Sequence, residues 1–326
     1  MILTVKLFLG IVLGLISLIS IILNSIIAIP VYRMAFIQKK SQVYVIAFFN
    51  IITDLLQMLF HFIYGAPSII LDSYLVGNAP DSKWVVFLGG LFIAFWFMES
   101  FIQMFMAVNR LVVICFRRPD MFTYTSTFIW MLLIIILSCI VAYILEYVPS
   151  CCYYIFDQAI VSYNFVRIPG LFNYSDYLFV MPIDAVSSIV AIICYTFVLI
   201  AIHKSSADVG SSTSRKRQDI RYTLQFMMVN GFYTGTWCFF VTFPYALPGH
   251  SVEWYFMVPF MVSLNCCSNS VVYLTANKEI QNNLKLLWIN RSFKVYPTTN
   301  QTISNGVGTR NTQNTERTVR FAHALV

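Results

Sequence analysis

Charge is what this sequence has least of. Asp, Glu, Lys and Arg make up 11% of its 326 residues, against about 25% in an ordinary soluble domain. So few charges, gathered between long apolar runs, exclude a cytosolic enzyme and a disordered chain. Catalytic signatures are missing too. There is no G-x-S-x-G, no H-E-x-x-H and no P-loop. The eight cysteines form no C-x-x-C pair and no metal-ligand spacing, which excludes a zinc module and a small disulfide scaffold. No nucleic-acid motif accompanies the net charge of +7.

What the sequence has instead is apolar length, 59% of residues being hydrophobic. A helix needs about 20 apolar residues to cross the hydrocarbon of a bilayer. The rare charges fence off seven segments of that length, at 7–32, 43–71, 84–109, 122–146, 177–202, 222–246 and 254–276. Three of them hold one acid each, Asp54, Glu99 and Asp184. A single charge costs about 2.5–3.5 kcal/mol on insertion, which the surrounding apolar residues offset. The run-length pattern is not that of short alternating lipid-facing strands. The fold class is therefore all-α, a seven-helix membrane bundle over residues 1–290. Residues 278–288 put Ile280, Leu284, Leu287 and Trp288 on one face, as in a short amphipathic helix lying on membrane lipid. Residues 291–326 are rich in Thr, Asn and Arg and read as a disordered tail.

Basic residues sort by loop. Eighteen of the 21 Lys and Arg fall in the first, third and fifth connections and in the tail. The positive-inside rule then places the C-terminus in the cytosol and the N-terminus outside. The first span has Lys6 ahead of it, but its apolar stretch is too long for a signal peptide and no A-x-A-like site follows. Asn173 opens an N-x-S sequon on the outer side and is a glycosylation candidate; the sequons at Asn290 and Asn300 fall on the cytosolic side.

Polar residues inside spans are costly and mark functional positions. Glu99, Gln103, Met106 and Arg110 follow helical spacing on the third span, as do Asn265, Asn269 and Tyr273 on the seventh. Asp54 and His61 share one face of the second span, about 10.5 Å apart. With Asn24 these positions form a polar seam through helices one, two, three and seven. Asp54 and Glu99, at similar depth, can share a proton or hold a cation such as Na⁺, with Asn24 and Asn265 beside them. A transporter or a ligand-gated channel would also carry such a seam, but internal repeats and a filter loop are missing. An intramembrane dyad of Asp54 and Asp184 has no distinctive local motif behind it, so the chain is not read as an enzyme.

Three stretches carry a family resemblance. Asn109-Arg110 ends the third span, Asn269-Ser-Val-Val-Tyr273 ends the seventh, and Arg215-Lys-Arg-Gln-Asp-Ile-Arg221 enters the sixth. With seven spans and the Asn24/Asp54 pair, they resemble the rhodopsin-like G-protein-coupled receptors, and among these the nematode serpentine chemoreceptors, class X best. The resemblance covers roughly residues 7–288. It implies a sensory receptor in the plasma membrane, by resemblance in a sensory cilium, which signals to a heterotrimeric G protein. Arg110 would lock the resting state and meet the G protein, with Asn109, Asn269 and Tyr273 rearranging around it.

The sequence departs from the family in places. Asn109 stands where an acid is usual, and Ser270 where a proline is. No cysteine lies between Asp72 and Gly90, so the usual bridge from span three to the second outer loop cannot form, and that loop is expected to be loosely held. His61, Asp184, Tyr233 and Trp237 are the candidate lining of an outward-facing ligand cavity. Few charges and many aromatics in the outer loops favour a small apolar or amphipathic odorant.

Overall fold

The computed structural model describes residues 2–149, 151–166, 170–207, 213–246 and 252–293. The tail read as disordered lies outside the described residues from 294 onward. The chain forms two units, Met1–Leu286 and Leu287–Val326. The first contains the helix bundle.

Six described helices are long and apolar enough to cross a membrane. They are α1 (Thr4–Ile37), α2 (Gln42–Leu71), α3 (Lys83–Ile114), α4 (Tyr124–Tyr147), α5 (Asp176–Lys204) and α7 (Met257–Ala276). Between the last two runs α6 (Thr213–Ala246), which starts with the basic run Arg215–Arg221. After α7 comes α8 (Lys278–Phe293). Between α4 and α5 lie two antiparallel strands, β1 (Tyr153–Asp157) and β2 (Ser162–Val166).

Helical period decides which residues face inward. On α1 the buried residues include Leu9, Leu13, Ser17, Ser20, Asn24, Ile27 and Val31, a stripe stepping by three and four. On α4 they are Thr127, Met131, Ile134, Ser138, Ala142, Leu145 and Glu146. Ile129, Leu133, Ile136 and Ile140 on the opposite side of α4 are exposed, as lipid-facing residues are. Two helices widen into π turns beside a proline: His61–Gly65 before Pro67, and Asp176–Val180 before Pro182. Proline lacks an N–H and its ring crowds the carbonyl four residues back, so the preceding turn opens. Side chains also stop and start helices. Ser41 Oγ accepts from Val43 N–H at the start of α2, and Asn277 Oδ1 accepts from Glu279 and Ile280 N–H at the start of α8.

The buried apolar residues form two clusters. One, at the hairpin end, holds Leu13, Phe92, Phe97, Phe156, Tyr163 and Tyr233. The other, at the Arg110 end, holds Ile27, Met34, Ile51, Met106, Tyr273 and Ile280. Lipid is as apolar as a leucine, so moving side chains from lipid to core gains little. Close packing and interhelical hydrogen bonds, about 0.6 kcal/mol each on average, hold such helices in place.

The α4–α5 connection, expected to be loosely held, is firmly seated. Tyr154, Phe156, Tyr163 and Phe165 of its strands are all buried, and so are Ile155 and Ser162. The register pairs Tyr154 with Phe165 and Phe156 with Tyr163. Two features seat the hairpin without a covalent bridge. A Cβ at Gly89 would stand 1.8 Å from the Tyr154 carbonyl oxygen, so only glycine lets β1 cross α3 there. Both carboxylate oxygens of Glu146, at 3.2 Å, accept the Tyr154 N–H. Glu146, read from the sequence as a fence at the end of a span, is fully buried.

Candidate functional site

Helix α7 meets its neighbours through a ladder of polar contacts. Nearest the hairpin, His61 on α2 bonds Ser263 on α7 at 3.1 Å and also Tyr163 of β2. Ser263 Oγ donates to the Pro259 carbonyl. It therefore accepts from His61 Nδ1–H, which leaves Nε2 to accept the Tyr163 hydroxyl proton. Burial pushes the Tyr163 phenol well above its ordinary pKa, so it remains a donor. His61 is thus a strut between helix and hairpin. Its ring also stacks on Phe92 at 5.6 Å.

Asp184 enters from α5. Its carboxylate accepts from Trp96 Nε1 at 3.0 and 3.1 Å, Ser100 Oγ at 3.0 Å and Tyr233 hydroxyl at 2.8 Å. Trp96 and Ser100 sit four apart on α3, and the Trp96 ring stacks on Tyr233 of α6. One carboxylate thus ties three helices together.

The next layers join α1, α2, α3 and α7. Glu99 accepts from Gln57 of α2 at 2.7 Å and from Asn265 of α7. Asp54 accepts from Asn269 at 2.7 Å. Asn24 donates to the Cys266 carbonyl at 3.1 Å and accepts from Ser270 Oγ. Ser270, standing in place of a helix-bending proline, thereby becomes a tie between α7 and α1. Donor atoms of Asp54, Glu99 and Cys266 all lie within 4.8 Å of one another, and the amide oxygens of Asn265 and Asn269 are buried without hydrogen bonds. Carboxylate and amide oxygens are the donors a hard cation takes, so this chemistry fits the Na⁺ expected from the sequence. Further down, Gln103 reaches Asn50 at 3.5 Å and Asn230 of α6 donates to Gln103 at 3.4 Å.

The seam ends at Asn109 and Arg110, both buried near the end of α3. Tyr195 on α5 and Tyr273 on α7 each bury a hydroxyl that makes no hydrogen bond. Nearby, α8 is pinned by Glu279, which pairs with Lys40 at 3.2 Å and accepts from Tyr44.

A narrow cavity opens at the hairpin end. Rings of Phe92, Trp96, Tyr154, Tyr163 and Phe240 wall it, with Asp184 among them. Only about 20 Å³ of it admits the centre of a water molecule, room for one or two waters. Of the four lining candidates, only Asp184 faces this cavity. His61 is turned to the hairpin, Tyr233 sits behind Asp184, and Trp237 packs half-buried against the hairpin-end core.

Asn173 corrects a reading of the sequence. It is 4% exposed, and its Oδ1 accepts from Asp176 N–H at the start of α5. A side chain enclosed as a helix cap leaves no space for a glycan on its nitrogen. The sequence reading also missed Gln57, Trp96, Ser100 and Cys266. The i, i+4 spacing of Trp96 and Ser100 was the one signal available for them.

Comparison with known proteins agrees with this geometry. A profile of the serpentine type 7TM GPCR chemoreceptor Srx matches residues 15–305. No curated protein matches the chain in sequence. Among solved structures the chain is similar to squid rhodopsin, with a TM-score of 0.68 and 14% identity over 88% of this chain and 87% of that one. At that identity the likeness speaks for the fold alone.

Proposed function

This chain belongs to the Srx family of serpentine seven-transmembrane chemoreceptors, and from that premise we propose a chemosensory receptor that binds an external small molecule and activates a heterotrimeric G protein. Such families are membrane-embedded receptors and not enzymes. The carrying observation is the series of buried polar clusters that α3 shares with its neighbours, from Asp184 at the aromatic cavity to Glu99 and Asp54 and on to Gln103.

In this reading the hairpin end faces outside, with the N-terminus, and the C-terminus is cytoplasmic. The segregation of eighteen basic residues to one side supports that orientation. The plasma membrane, in a sensory cilium by resemblance, is the proposed location. Ligand at the cavity shifts α3 and α6 through Asp184, and α7 passes the change to Tyr273 and Arg110. Activation is a population shift, so the ligand must bind the active arrangement more tightly than the resting one. A Na⁺ ion at Asp54 and Glu99 supplies a positive charge that would hold α2, α3 and α7 in one arrangement. The α8 segment is proposed to lie against inner-leaflet lipid.

The test is nucleotide exchange on a heterotrimer by the full-length receptor in membranes. Arg110→Ala should lower ligand-driven exchange by about 100-fold or more while surface expression holds, as expected when a buried charged contact is lost. Normal exchange by Arg110→Ala removes the mechanism. An ion current that needs no G protein would replace the receptor reading with the channel one.

A further inference from the structure

Resting on the receptor reading above, we propose that the cavity's ligand is a small primary amine, with its ammonium paired to Asp184. Asp184 is 1% exposed and lines the cavity. Among the described residues the ion pairs are Lys6–Asp72 and Lys40–Glu279, so neither supplies Asp184 with a counter-ion. A buried carboxylate without a cation is costly. Its hydrogen bonds are also lopsided. Oδ1 accepts from Trp96, Ser100 and Tyr233, whereas Oδ2 accepts only the shared Trp96 N–H. Oδ2 keeps capacity for one more donor.

The walls suit a cation as well. Phe92, Trp96, Tyr154, Tyr163 and Phe240 present rings around the carboxylate's cavity, and aromatic faces attract an ammonium. Ile93, Val180, Thr236, Val258 and Val262 complete the lining; the Thr236 hydroxyl donates to the Phe232 carbonyl, and the other four offer an apolar seat for an alkyl chain. Size then selects among amines. The ≈ 20 Å³ open to water centres matches a primary ammonium head and is too small for a trimethylammonium. The hydrocarbon part enters by displacing the hairpin's Tyr154 and Tyr163, which are held without covalent bonds. An anionic ligand would face the Asp184 charge with no cation in the lining. A neutral alcohol would leave that charge unpaired.

The experiment uses purified full-length receptor in lipid nanodiscs. Thermal unfolding is followed with butylamine, isoamylamine and phenethylamine at millimolar concentration, each beside its isosteric alcohol. At least one amine should raise the Tm, and its alcohol should not. Asp184→Asn keeps the shape and one acceptor, and should weaken that amine by about 100-fold or more, the loss for one partner of a buried charge pair. If Asp184→Asn does not fold, Phe240→Leu removes one aromatic face at the cavity edge and should weaken the amine about 2- to 5-fold. Alcohols binding as well as amines, no shift from any of the three amines, or an undiminished shift in the foldable variants would overturn the proposal. Nucleotide exchange is read in parallel. Amine binding without exchange on any heterotrimer would leave the amine site standing and sink the receptor reading; exchange driven only by uncharged odorants would do the reverse.

Discussion

The two ends of the bundle are held by different forces. At the hairpin end, rings meet rings. Phe92 stacks on Tyr163 at 4.2 Å, Tyr154 lies over Tyr163 at 5.6 Å, and Phe60 meets Phe92 at 5.1 Å. Towards Arg110 the contacts become amides, acids and hydroxyls. Several polar atoms there are buried without hydrogen bonds: Asn50 Nδ2, Asn109 Nδ2, Asn265 Oδ1, Asn269 Oδ1 and the hydroxyls of Tyr195 and Tyr273. Packed aromatics have one good arrangement, because a shifted ring leaves a void or a clash. Polar groups with unspent bonding capacity can exchange partners. Displacing the packed rings therefore costs more than exchanging partners in the seam, although Tyr64 and Trp237 also bury unpaired polar atoms near the hairpin.

Breaking the packed end should do the most damage. Gly89→Val drives a side chain into the Tyr154 backbone and should cost about 3 kcal/mol or more, beyond the usual overpacking penalty. Thermal unfolding in nanodiscs would show it as a large fall in Tm, and an unchanged Tm would refute the docking of β1 on α3. Glu146→Ala comes next. It orphans the buried Tyr154 N–H and should cost about 1–3 kcal/mol, with Glu146→Gln recovering much of it.

Changes in the seam should read out more in signalling than in stability. Asp54→Asn keeps a partner for Asn269, so the fold should persist while any Na⁺ dependence of nucleotide exchange disappears. Sodium dependence that survives in this variant removes the cation from Asp54. Ser270→Ala deletes one bond to Asn24 and should cost about 1 kcal/mol. Its more telling readout is basal exchange, which should rise as α7 is freed from α1. Tyr44→Phe is the smallest change. It drops one bond to Glu279 but leaves the half-exposed Lys40 pair, an effect within about 1 kcal/mol.

The same contrast explains what could be read from the sequence. Glu99, Gln103 and Arg110 were legible because a helix's period puts them on one face. So were Asn265, Asn269 and Tyr273. Which residue each one meets was not legible: Asn265 donates to Glu99, Asn269 to Asp54 and Ser270 to Asn24, pairings that spacing along one helix does not give. The hairpin end was less legible. The stretch Tyr153–Phe156 is apolar throughout, so it offers no alternation to mark a strand. Nothing local says that these rings fill the bundle's mouth, or that Gly89 is small for their sake. Asp184 carried no sign of its three donors, which come from residues 84 to 88 positions back on α3 and 49 positions on along α6. Glu146 read only as the charge that closes the fourth span, and its carboxylate turns inward to a strand that no pattern had placed. Contacts between distant elements depend on topology, which periodicity does not carry.

The glycine notch has one more consequence. Cys151 and Cys152 are both unoxidised, each directed at the Phe172 carbonyl, and no sulfur bridge holds the hairpin. The hairpin is latched by packing and hydrogen bonds alone. Its opening then breaks no bond that a reductant could cut. A thiol reductant that disarms a bridged relative should leave this one's threshold where it was.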